Sequence, residues 1–367
     1  MKRITVVQCL PALHSGGVER STLETARALV HRGHRSIIVS AGGRMLAQCE
    51  AEGSEHYQCE IGKKNLLILR SIHKFRELLK VLKPDIVHAR SRLPAWSALL
   101  AMRHLEHRPK FVTSVHGLNS AGFYSGVMLR GEKIVCVSDT VKKYVLETWP
   151  KTDRTKISVI SPGIDPAEFP YGHPVDRQWL DNFLIEYPRL NGEKLLLLSA
   201  RATRLKSHAV ALNLLAALRP ELGDVRLCCL GANQGGRERY LDELKHHAER
   251  LGLTEFVEFT KPVKTMANAY AASDLVLQLS SKPEAFGRTV LEALSIGKPV
   301  IGWNLGGVGE NLQHYFPQGL VEPSDENSLA ASAQNILENN IVPERCELPG
   351  LADMQTNMMA VYEQLCT

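Results

Sequence analysis

Glu284 and Glu292 stand eight positions apart in PEAFGRTVLEALSIGKPVI (283–301), on either side of a Phe286-Gly287-Arg288-Thr289 string that opens a helical pattern. Backbone N–H groups at such a helix start can bind phosphate oxygens. A carboxylate one to two turns along can accept hydrogen bonds from both hydroxyls of a ribose, as acidic residues do in other doubly wound nucleotide sites. One such glutamate alone is an ordinary surface carboxylate; the whole string points to a nucleotide. Upstream, SARATRLKSH (199–208) sets Arg201 and Lys206 five residues apart across a turn into another helix. Two fixed cations at a helix N-terminus can hold a diphosphate and stabilise it as it leaves. Arg204 between them reads as a solvated charge. No Gly-x-x-x-x-Gly-Lys-Ser/Thr string occurs, so this is not the signature of a P-loop NTPase.

The first half of the chain offers weaker signals. In LPALHSGGVERSTLETARAL, Gly16 and Gly17 sit where a loop enters a helix, allowing close backbone approach to a phosphate. A tight strand-to-helix turn would need the same glycines. In SVHG (114–117), His116 follows an apolar run and could bond a sugar hydroxyl, but alone it serves equally as a structural histidine.

The elements that must hold these residues alternate. Strand patterns occur at 4–9, 36–40, 85–89, 110–115, 133–137 and 156–160, then at 194–200, 225–231, 256–259, 275–279 and 299–303. Helical patterns intervene near 18–31, 65–82, 94–106 and 139–148, and near 207–219, 236–251, 266–272, 286–296 and 325–338. Near-continuous apolar strands between helices imply parallel sheets covered on both faces. Two such series predict an α/β chain of two tandem Rossmann-like doubly wound domains, in which ligands bind beyond the carboxyl ends of strands. The join falls between Gly163 and Glu193, a Pro- and Gly-rich stretch with no clear strand, read as a linker with an irregular lead-in.

The 367 residues are too many for one ordinary core, and no apolar run approaches the roughly 18 residues of a membrane span. The N-terminus reads as a first strand, not a signal peptide. Eight scattered cysteines show no metal-ligand spacing, which suits a reduced, cytoplasmic protein without structural metal. Charge is uneven: residues 1–165 carry 26 Lys+Arg against 14 Asp+Glu, a net of +12, whereas 166–367 carry 18 against 25, a net of −7. The first half is therefore expected to meet something anionic, or else to present a solvated basic face. Nucleic acid is set aside because no recognised binding motif is present.

Taken together and in order, these strings resemble glycosyltransferase family 4, with its two-Rossmann GT-B fold. The resemblance spans nearly the whole chain: SGGVE, SVHG, CVSDTVKKYV (136–145), VISPGIDPAEF (159–169), the Arg/Lys loop, the Glu–seven residues–Glu motif and NLGGVGENL (304–312). LADMQTNMMAVYEQLC (351–366) resembles the family's last helix, which crosses back onto the first domain. Departures are Ser161-Pro162 before Gly163, Ser199-Ala200 before Arg201, and Ser207 where glycine usually follows the lysine.

The resemblance implies two domains facing across a cleft: an acceptor-side domain, 1–165 plus 351–367, and a donor-binding domain, 166–350. It implies that Arg201 and Lys206 hold the donor diphosphate, that Glu292 binds the ribose and Glu284 the transferred sugar. The backbone of Phe286, Gly287 and Arg288 would line the sugar–phosphate site, with Thr289 closing it. Gly16, Gly17 and His116 would approach the donor from the first domain, and Val263 would mark the nucleobase. It further implies a retaining, front-face transfer without metal or other cofactor, from a nucleoside-diphosphate sugar with UDP favoured. IVHARSRLPAWSALL (86–100) and GANQGGRERY (231–240) resemble transferases of lipopolysaccharide-core and other surface-glycan pathways. That suggests a glycolipid acceptor and peripheral contact with an anionic membrane surface. The competing expectations are a nucleotide-sugar 2-epimerase of the same fold and a non-catalytic sugar-nucleotide-binding subunit.

Overall fold

The computed structural model describes residues 2–14, 16–63 and 68–367. Part of the helical pattern expected from 65 lies outside the described residues. The chain divides into two compact units, Met1–Gly163 with Pro349–Thr367, and Ile164–Leu348.

The first unit runs β1 (Thr5–Cys9), α1 (Gly17–His31), β2 (Arg35–Ser40), α2 (Leu46–Ala51), β3 (Glu55–Gln58), α3 (Ile68–Leu82), β4 (Ile86–Ala89), α4 (Arg92–Met102), β5 (Lys110–Val115), β6 (Lys133–Cys136), α5 (Asp139–Thr148) and β7 (Ile157–Val159). The second runs α6 (Arg177–Glu186), β8 (Lys194–Ser199), α7 (His208–Leu222), β9 (Val225–Leu230), α8 (Glu238–Arg250), β10 (Val257–Phe259), α9 (Met266–Ala271), β11 (Leu275–Gln278), α10 (Arg288–Ile296), β12 (Val300–Trp303), α11 (Gly306–Tyr315), β13 (Leu320–Val321) and α12 (Glu326–Glu338). The last helix, α13 (Leu351–Cys366), returns to the first unit.

Both sheets are parallel, with strand orders β3-β2-β1-β4-β5-β6-β7 and β10-β9-β8-β11-β12-β13. The order reverses direction between β1 and β4 in one unit and between β8 and β11 in the other. Connections leave these strand pairs to opposite sides, opening a crevice at their carboxyl ends.

α13 is held by its own periodicity. Leu351, Met354, Met358, Val361 and Tyr362 fall on one face and are buried against Ile4, Val6, Leu29, Ile86 and Val112. Each such side chain contributes roughly 1.5–3 kcal/mol on burial. α6 corrects the reading of 163–193 as linker and irregular lead-in. Asp176 caps its start by accepting from Trp179 N at 3.0 Å, and Trp179 and Phe183 stack at 4.9 Å. None of its residues is fully buried; Trp179, Leu180, Phe183 and Leu184 form a short half-buried stripe at helical spacing, masked by the Pro- and Gly-rich stretch before it. β3 is a polar edge strand, EHYQ, with no apolar run to mark it.

Candidate functional site

In the second unit the loops after β8 and β11 carry the predicted charged residues. Ser281 N donates to Leu205 O at 2.9 Å, pinning one loop to the other. That contact brings Lys206 Nζ onto Glu284 Oε1 as an ion pair. Ser280 Oγ also donates to Glu284 Oε1, and Gln278 Nε2 donates to Oε2 at 3.1 Å. Each carboxylate oxygen has room for two donors, so Oε2 keeps one acceptor position for a further hydroxyl. Gln278 and Ser280 were not singled out in the sequence. The signal was there: two polar residues at alternate positions end the apolar run LVLQLS.

Arg201 follows β8 as an exposed guanidinium and has no hydrogen-bond or ion-pair partner among the described residues. Arg204 turns elsewhere, onto Glu243 at 2.5 Å and over the Tyr240 ring at 5.0 Å. Ser207 sits at φ 53°, ψ 41°, in the left-handed region, immediately before α7. That conformation accounts for the glycine usual at this position. Behind it His208 is fully buried, with Nε2 3.2 Å from Ala200 O; burial pushes its imidazole down to about 4.

The string 284–292 is held mostly through backbone. Gly307 N donates to Glu284 O at 2.8 Å, and Asn311 Nδ2 donates to Phe286 O at 2.5 Å. Gly287 has φ 75°, and a Cβ there would lie 3.1 Å from Val308; at Gly306 a Cβ would lie 2.5 Å from Glu284 O. Phe286 is buried, Thr289 is half-buried at the start of α10, and Val263 is half-buried in the loop after β10. Glu292 is 6% exposed, with Arg288 Nε on Oε1 and Tyr270 Oη on Oε2, each at 2.9 Å. Glu284 and Lys206 are thus brought together, while Glu292 is buried on the motif helix with partners of its own. Among the described residues no group of three or more His, Cys, Asp or Glu is placed to hold a metal ion.

In the first unit Gly16 caps α1, Gly17 is its first residue, and His116 lies one residue past β5. His116 Nε2 is buried without a partner among the described residues. Burial, and then the nearby Arg90 charge, push its imidazole down to about 3. Beside it a polar layer replaces the apolar core at the strand ends. Arg90, 1% exposed, donates through Nε (3.1 Å) and Nη2 to Gln8 Oε1, and Gln8 Nε2 donates to Thr22 O at 3.1 Å. His88 bridges Tyr362 Oη at 2.6 Å and Ser114 Oγ at 2.7 Å.

Two tandem doubly wound units with charged loops at the switch point of the second sheet define a GT-B glycosyltransferase. Residues 15–168 match the family model described as Glycosyltransferase Family 4, and residues 183–348 match Glycosyl transferases group 1. The chain belongs to glycosyltransferase family 4. A crystal structure of a glycosyltransferase from Rickettsia africae is 29% identical, covers all of both chains and superposes with a TM-score of 0.84. The Anabaena protein HepE, solved in complex with UDP and glucose, is 19% identical over 99% of this chain and 95% of its own, with a TM-score of 0.77. The N-acetyl-alpha-D-glucosaminyl L-malate synthase of Bacillus anthracis is 24% identical over 92% of this chain and 88% of its own.

Proposed function

We propose that this glycosyltransferase is a retaining enzyme that moves a sugar from UDP-sugar to an anionic acceptor of the glycolipid or lipopolysaccharide-core class. The observation that carries this reading is the Lys206–Glu284 pair at the β8/β11 switch point, with Arg201 on the same loop after β8 and without a partner among the described residues. Breaking the glycosidic bond leaves a diphosphate with more negative charge than it had as a diester. Lys206, held by Glu284, and Arg201 on the same loop meet this charge without calling on a metal. Glu284 takes a sugar hydroxyl on its remaining Oε2 position. The backbone of 286–289 completes the donor site of the second unit, with Val263 by the base and Glu292 by the ribose. The leaving phosphate helps take the acceptor proton on the same face. The donor choice is supported by the UDP and glucose of the Anabaena neighbour.

An anionic acceptor suits the net +12 of residues 1–165, and the Bacillus anthracis relative is named for an acidic acceptor, malate. Among the described residues no helix is long and apolar enough to cross a membrane. The same basic unit is proposed to meet an anionic bilayer surface from the cytoplasmic side. Sedimentation with anionic vesicles, weakening as salt rises, is the expected result; equal partition onto neutral vesicles overturns the surface contact. The central experiment is a panel of nucleotide sugars scored for donor hydrolysis and thermal shift, followed by NMR of the anomeric configuration. Response to a GDP-sugar alone overturns the donor assignment, and an inverted product overturns retention.

A further inference from the structure

The loop after β5 and the start of α4 bring three aromatic rings and two guanidiniums together on the first unit. Trp96 on α4 lies against Phe123, with ring centroids 5.1 Å apart, and its Nε1 donates to Tyr124 O at 3.0 Å. Arg130 lies 5.6 Å from the Trp96 centroid and 5.8 Å from that of Phe123. Arg92 lies 5.3 Å over the Tyr124 ring and donates through Nη1 to the buried Ser125 Oγ at 3.2 Å. Neither arginine has a carboxylate partner among the described residues; Glu132, the acidic residue nearest Arg130 in sequence, is bonded to Lys110. The foot of the loop is fixed: Val127 and Met128 are buried, and Thr113 Oγ1 donates to Met128 O at 2.6 Å. Its tip is open, with Phe123 76% exposed. β4 and β5 are parallel neighbours, so the cluster stands at the carboxyl ends of adjacent strands, where doubly wound units take their ligands.

We propose that this cluster is an acceptor subsite for a sugar ring bearing a phosphate or carboxylate: the sugar packs on Phe123, which Trp96 backs, and its charged group is met by Arg130 and Arg92. One face of a pyranose is a row of C–H bonds, whose slightly positive hydrogens suit the negative face of an aromatic ring. A guanidinium held against a ring keeps its charge and offers a planar fork of N–H donors to an anion. A neutral sugar has no use for two unpaired guanidiniums, and a bare anion has none for an exposed ring. The tip, Ser120–Tyr124, carries no leucine, isoleucine, valine or methionine of the kind that enters a bilayer. The inference deepens the reading of the acceptor as an anionic glycan and rests on it.

The indole N–H signal of Trp96, assigned among the chain's four tryptophans with Trp96→Phe, reports on the cluster by NMR. The full chain is titrated without donor against glucose 6-phosphate, glucuronate, methyl glucoside, inorganic phosphate and phosphatidylglycerol vesicles. The charged sugars are expected to move the signal saturably, with methyl glucoside and inorganic phosphate about tenfold weaker or more. Phe123→Ala and Arg130→Gln are each expected to weaken binding of the charged sugars about tenfold at an unchanged Tm, and Phe123→Tyr to keep it. The proposal is overturned if no charged sugar moves the signal, if inorganic phosphate binds as tightly as the sugar phosphate, or if only the vesicles move it. Since no donor is present, such a failure leaves the transferase reading standing. Saturable binding of charged sugars with no transfer to any anionic acceptor would instead overturn the acceptor class and leave the subsite.

Discussion

Lys206 Nζ rests on Glu284 Oε1 across 78 residues of sequence, and the same oxygen takes the Ser280 hydroxyl. The ion pair orients both partners: lysine loses rotamer freedom, and the carboxylate is turned so that Oε2 faces away from the cation. Neither side chain is placed by its own loop alone. Replacing either with alanine is expected to lower turnover about a hundredfold, or roughly 3 kcal/mol in activation free energy. Because each holds the other, the double variant should lose much less than the product of the two single losses. Steady-state kinetics on the four proteins measures the coupling. Strict additivity would show that the pair does not act as a unit.

Glu292 lends itself to separating binding from folding. It is buried and receives Arg288 and Tyr270, so Glu292→Ala removes an acceptor from the half-buried Arg288 and from the buried Tyr270 hydroxyl. A loss of about 2–4 kcal/mol in stability is expected from that alone. Glu292→Gln keeps an acceptor for one of them and should fold closer to wild type. If the carboxylate binds ribose, calorimetry on the glutamine variant will show weaker affinity for UDP. Unchanged affinity for both UDP and GDP, in a folded variant, removes Glu292 from the nucleotide site.

Ser207 carries a local cost that glycine would relieve. A left-handed residue with a Cβ is disfavoured by roughly 1–2 kcal/mol, partly offset by glycine's greater freedom in the unfolded chain. Ser207→Gly is therefore expected to stabilise the protein by about 0.5–1 kcal/mol, read as a raised denaturation midpoint. Its turnover should stay at the wild-type level, since the Lys206 backbone keeps its conformation. A destabilised variant would mean that the serine hydroxyl contributes more than the backbone costs.

The legible parts of this protein were those with a long-range requirement written locally. Every strand buried on both faces, such as DIVHA or LVLQL, announced itself by an apolar run, and the loops after β8 and β11 by their charged residues. β3 stayed hidden because a polar edge strand has no apolar run, and α6 because its stripe, Trp179, Leu180, Phe183 and Leu184, is short and follows a Pro- and Gly-rich stretch. α11 was hidden by its start, GGVG, whose low helix propensity is overridden by packing of Gly306 and Gly307 against 284–286. The partners of Glu284 could have been found, since Gln278 and Ser280 break an apolar run on one face. The same kind of break, Gln8 in ITVVQC and His88 in DIVHA, marked the polar layer around Arg90. What no local reading could supply is the pairing: that Lys206 meets Glu284, and that Arg90 meets a carboxamide, follows only from the strand order.

Arg201 gives the sharpest test of how the leaving group is stabilised. It is exposed and has no partner among the described residues, so Arg201→Ala should leave the denaturation midpoint within about 0.5 kcal/mol of wild type. Turnover, by contrast, should fall about a hundredfold, because a cation that meets the departing diphosphate is lost. Arg201→Lys should recover part of the loss, since it returns the charge but not the two-pronged geometry. Arg204, three residues on, is the internal control: it is already bonded to Glu243 and stacked on Tyr240, and Arg204→Ala should turn over close to wild type. Assays with and without EDTA complete the comparison, and the chelator is expected to change none of these rates. Near-wild-type turnover in Arg201→Ala would make it an ordinary solvated charge. Loss of wild-type activity in EDTA, restored by a divalent ion, would move the stabilisation of the diphosphate from these side chains to a metal.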